Sequence, residues 1–72
     1  MMYLYAKFND SKGFRAFDYA AGNFAPKLIY CTLIEDTPTN REKLQRLADL
    51  NKGVGAKFQL REAGGKVVFT TA

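Results

Sequence analysis

The side chains able to do chemistry are few in this chain, and they lie far apart. Its 72 residues include one cysteine, Cys31, and no histidine. A Cys/His zinc site and an intrachain disulfide are therefore excluded. A nucleophile such as Cys31 or Ser11 also lacks its commonest general base. Cys31 lies inside the run "KLIYCTLIE", where a thiol among apolar neighbours acts as a small hydrophobe. Glu35 and Asp36 are adjacent carboxylates, but adjacent strand positions face opposite ways, and acids just ahead of a helix suit its positive end. Gly53–Gly55 and Gly64-Gly65 precede strands, whereas a phosphate-cradling loop opens a helix. They read as a helix stop and a hairpin turn. Asn9-Asp10-Ser11 has the form of a glycosylation sequon, which matters only in a secreted chain. These residues point to a non-enzymatic protein with no cofactor and no metal.

Charge offers a second kind of chemistry, the binding of phosphates. The formal net charge is +4. From Met1 to Asp36, Lys7, Lys12, Arg15 and Lys27 are matched by Asp10, Asp18, Glu35 and Asp36. The excess lies entirely beyond: Arg41, Lys43, Arg46, Lys52, Lys57, Arg61 and Lys66 face only Glu42, Asp49 and Glu62. Those seven cations are the candidate nucleic-acid contacts. Eight of the ten aromatic residues, however, lie in the neutral stretch. Single-strand binders set aromatics beside cations, so that bases stack while phosphates pair. Segregation along the chain counts against that use.

The elements that must position these residues follow from period and punctuation. Tyr3 to Phe8 alternates, with Met2, Leu4, Ala6 and Phe8 on one side and Tyr3, Tyr5 and Lys7 on the other. "NDSKG" then turns the chain into a second strand over 14–20. Gly22-Asn23 reads as the next turn and Pro26 as the start of a third strand. That strand, Lys27 to Glu35, is apolar on both faces and is expected mid-sheet. A helix follows, started by Thr39 with Glu42 or one half-turn earlier by Thr37-Pro38. Leu44, Leu47, Ala48 and Leu50 share its apolar arc, and Asn51-Lys52-Gly53 ends it. The strands around Phe58–Leu60 and Val67–Phe69 form a final hairpin about Gly64-Gly65, which sets Leu60 opposite Phe69 and Arg61 opposite Val68.

The expected fold is α+β: one domain over residues 1–72, a small antiparallel sheet with a single helix on one face, in the order β-β-β-α-β-β. The longest apolar run, Leu28 to Ile34, includes Thr32 and is too short to span a bilayer. With no basic n-region and apolar core at the start, the reading is a soluble cytoplasmic protein with no membrane partner.

One helix covers one face, yet the sequence carries grease for two. Tyr3, Tyr5, Phe17, Tyr19 and Tyr30, with Leu28 nearby, are the residues expected to project from the uncovered face. They form the candidate protein interface, for a foreign partner or for a second copy in a homodimer. Nucleic-acid binding through the basic helix and last hairpin is the alternative.

Overall fold

The computed structural model describes residues 1–72. The elements run β1 (Met2–Lys7), β2 (Arg15–Asp18), β3 (Asn23–Phe24), β4 (Leu33–Ile34), α1 (Pro38–Leu50), β5 (Lys57–Arg61) and β6 (Val67–Thr70). The six strands form one antiparallel sheet in the spatial order β3-β2-β1-β5-β6, with β4 also paired to β1. This is the α+β architecture that the sequence pattern predicts, with one short strand more before the helix. The shortest molecular dimension is 21 Å, the depth of a helix about 10 Å wide laid on one sheet. No helix is long and apolar enough to cross a membrane.

The centre of the sheet is β1. Five consecutive pairs, Tyr3↔Arg61 to Lys7↔Lys57, tie one of its edges to β5. Its other edge is shared: Tyr5 and Ala6 pair with Ala16 and Arg15 of β2, while Met2 and Tyr3 pair with Ile34 and Leu33 of β4. The alternation read in "MMYLYAKF" decides the faces. Leu4 and Ala6 turn inward with Phe58 and Leu60 of β5 and meet Leu44 and Ala48 of α1. Leu4 and Leu60 sit opposite one another and are wholly buried. Truncating either to alanine costs about 2–5 kcal/mol.

Helix α1 uses the earlier of its two start signals. The Thr37 hydroxyl accepts a hydrogen bond from the Asn40 backbone N–H at 3.1 Å, and Pro38 opens the first turn. Proline suits that position because its missing N–H would have no partner there. At the far end the Asn51 side chain donates to the Leu47 carbonyl at 2.9 Å. Gly55 then reverses the chain with φ +71°, a left-handed value that favours glycine. Leu44 and Ala48 are buried and Leu47 packs beside them, but Leu50 is 76% exposed. The buried arc ends at Ala48, two residues before the helix does.

Two sequence expectations fail here, for physical reasons. Lys27–Glu35 is not a central strand. Leu28–Tyr30 forms a 3-10 turn, closed by the Tyr30 and Cys31 N–H groups donating to the Lys27 and Leu28 carbonyls at 3.0 Å each. Only Leu33 and Ile34 pair as β4. Both edges of β1 are already taken over most of its length, so no central lane is left for nine extended residues. Gly22-Asn23 is likewise not the turn. The reversal spans Tyr19 to Gly22, where the Gly22 N–H donates to the Tyr19 carbonyl at 3.1 Å, and Asn23 already belongs to β3.

The last hairpin keeps the expected Leu60↔Phe69 pair. One step on, a bulge sets Arg61 opposite Val67 rather than Val68. Its turn is not Gly64-Gly65: the reversal spans Glu62 to Gly65, where the Gly65 N–H donates to the Glu62 carbonyl at 2.8 Å, and Glu62 pairs with Lys66. Thr71 extends β6 beyond its last ladder residue. Its hydroxyl accepts from the Phe58 N–H and its own N–H donates to the Phe58 carbonyl, both at 2.9 Å.

Candidate functional site

Antiparallel partners share a face, so the registers assign each candidate residue to a side of the sheet. On the helix-free side β1 presents Tyr3, Tyr5 and Lys7, and β5 presents Arg61, Gln59 and Lys57 directly opposite them. Leu33 of β4, Ala16 of β2 and Thr70 of β6 continue these rows. Aromatic residues from the neutral half of the chain and cations from the basic half therefore meet in adjacent strands. Their separation in the sequence does not survive folding.

Side-chain contacts organise this surface. The Arg61 guanidinium lies over the Tyr5 ring, 4.1 Å from its centroid. Its Nε donates to Gln59 Oε1 at 3.0 Å, and Gln59 Nε2 donates to Thr70 Oγ1 at 3.2 Å. Arg61 is thus held flat against the sheet by its own face. Lys7 and Lys57 are both exposed and directly opposite one another, a like-charge pairing that destabilises a sheet. The chain's two ion pairs, Arg41–Asp36 and Arg46–Glu42, involve none of these three cations.

The five residues expected to form one tyrosine-rich plane do not stay together. Tyr3 and Tyr5 lie on the helix-free face, half-buried. Phe17 lies on the opposite face, only 6% exposed, in the core with Phe8, Phe24 and Phe58. The cause is register: Tyr5↔Ala16 places the odd-numbered residues of β2 with the even-numbered ones of β1, and a one-residue slip exchanges the faces. Tyr19, beyond the end of β2, borders a shallow groove with Lys43, Arg46, Leu47 and Leu50 of the helix. Tyr30 is exposed on the 3-10 turn, beside Leu28 and the 84% exposed Ile29.

The seven candidate cations divide as well. Lys57 and Arg61 are on the helix-free face, whereas Lys43 and Arg46 ride on α1 across the sheet. Lys52 follows the helix and Lys66 sits in the turn before β6. Arg41 is engaged already: its Nε and Nη2 donate to the two Asp36 carboxylate oxygens at 2.6 and 2.8 Å, and its guanidinium lies 5.0 Å over Phe69. That hydrogen bond holds the Asp36 carboxyl below the usual carboxylate range. Lys7 was absent from the cationic set read in the sequence. Strand parity with Tyr3 and Tyr5 was the signal that placed it.

Cys31 is buried, its thiol donating to the Leu4 carbonyl at 3.1 Å. Burial pushes its pKa up, away from a reactive thiolate. Nowhere do three His, Cys, Asp or Glu side chains converge as metal ligands would. What the fold and site define is a small α+β protein with one covered and one uncovered sheet face. No protein-family model, curated protein or solved structure matches the chain.

Proposed function

We propose that this protein is a non-enzymatic binding module whose helix-free sheet face takes single-stranded nucleic acid. The in-register pairing of β1 with β5 carries the reading, because it sets Tyr3 and Tyr5 among Lys7, Lys57 and Arg61 with no carboxylate bridged to those cations. Tyrosine rings, and a guanidinium plane lying on one of them, are surfaces on which unstacked bases rest. Alternate residues of a strand are about 7 Å apart, so the row from Tyr3 to Lys7 suits a footprint of about two or three nucleotides. A phosphate between Lys7 and Lys57 would turn their mutual repulsion into a shared attraction.

Fluorescence anisotropy with a short labelled oligothymidylate tests this. With three cations facing the strand, log K should fall against log salt with a slope of about −2, and Lys7→Gln or Lys57→Gln should each reduce that slope by about 0.7. Tyr5→Leu should weaken binding by about 1–3 kcal/mol and leave the slope unchanged. Lys43→Gln and Arg46→Gln, on the other side of the sheet, should do neither. Absence of binding at low salt, or equal losses from the helix variants, refutes the proposal.

A protein partner is the second reading, favoured by the Leu28-Ile29-Tyr30 turn, where three consecutive apolar side chains are exposed. Leu33, also exposed, adds a further apolar side chain beside Tyr3 on the helix-free face. If a second copy binds there, light scattering should show a concentration-dependent dimer that Ile29→Ser abolishes. A monomer at all concentrations refutes the homodimer.

A further inference from the structure

The geometry points to a second binding site, for a small organic ammonium ion, in the groove at the end of β1. Three segments meet there: residues 8–10 after β1, residues 22–24 around β3, and Gly53-Val54 beyond the helix. They enclose an open groove of about 510 Å³, within the usual range for small-molecule sites. Phe8 and Phe24, both half-buried, line it together with the almost wholly buried Phe17, the three rings mutually tilted with centroids 5.8–5.9 Å apart. Aromatic faces carry negative potential and attract cations. Asp10 is the only ionisable residue in the lining, and neither of the chain's ion pairs uses it. The lining thus offers rings for an apolar body and a carboxylate for its charge, in a protein of net charge +4.

The cluster already attracts one cation. The Arg15 guanidinium lies 4.5 Å from the centroid of Phe24, although Arg15 is not part of the groove lining. It shows what these rings attract, and it also opposes a cationic ligand. The net positive charge of the chain disfavours a strongly basic protein here, whereas a single small ammonium meets little of that repulsion. The site is separate from the sheet face proposed for nucleic acid, and neither reading depends on the other.

Choline and its neutral isostere, in which a tert-butyl group replaces trimethylammonium, separate charge recognition from simple apolar burial. In amide-resolved NMR titrations, choline should give saturable shifts confined to residues 8–10, 22–24 and 53–54. The isostere should bind at least about fivefold more weakly. Asp10→Asn should weaken choline binding by a similar factor, and Arg15→Gln should strengthen it by freeing Phe24 and removing a competing charge. Both positions are exposed, and the same spectra report whether the variants stay folded. Failure of choline to saturate, equal affinity for the two probes, or unchanged binding in Asp10→Asn overturns the assignment.

Discussion

Replacing Phe17 separates two incompatible pictures of this sheet. On the uncovered face it would be a surface residue, and its substitution would change stability by no more than about 0.5 kcal/mol. The structure instead buries it, with ring centroids of Phe8, Phe24 and Phe58 at 5.8, 5.9 and 6.2 Å. Phe17→Ala should then cost about 3–5 kcal/mol. A chain of this length holds a total stability of about 4–11 kcal/mol, so that variant gives up a large share of its stability and, at the low end of that range, unfolds. Phe17→Leu is the better probe. It keeps most of the volume but forfeits three tilted ring contacts, for an expected loss of about 1–2 kcal/mol. With a urea slope of about 1 kcal/mol per molar for so small a protein, the midpoint should drop by about 1–2 M. Circular dichroism in urea reads this directly. Midpoints for both variants within about 0.5 M of the parent would refute the register and the face assignment built on it.

Three further substitutions test other parts of the fold. Thr71→Val keeps the shape but strands the Phe58 N–H that the hydroxyl now satisfies, so urea unfolding should show a loss of about 1–3 kcal/mol. Gly55→Ala should lower the thermal midpoint, because a Cβ there would fall on the Asn9 side-chain amide at a left-handed backbone position. Cys31 links stability to pH. The folded state holds its thiol proton more tightly than the unfolded state does, so stability is full below the ordinary thiol pKa and declines as pH rises past it. Urea midpoints between neutral pH and about pH 10 should fall more steeply for the parent than for Cys31→Ala; parallel curves would contradict that linkage.

Local pattern was enough for much of this protein. Alternation in β1 named Leu4 and Ala6 as core, and period and capping signals located α1. Alternation and paired glycines marked the last hairpin and its inward residues Leu60 and Phe69, though not the register of its turn. These features rest on neighbours within a few residues, which the sequence displays directly. The absence of histidine and the single cysteine likewise bounded the chemistry before any fold was known.

What folding alone decided was which distant residues meet. The apolar run Leu28–Ile34 carries the same pattern whether it lies mid-sheet or over an end, and the outcome turned on β1 having its edges occupied by β2 and β5. Phe17 changed faces because hairpin register, a matter of one residue, is not encoded by alternation. Tyr5 and Arg61 stand near opposite ends of the chain, and only the antiparallel pairing of the first strand with the fifth lays one upon the other. Alternation reveals that a strand has two faces; the partner across the ladder determines what stands on each.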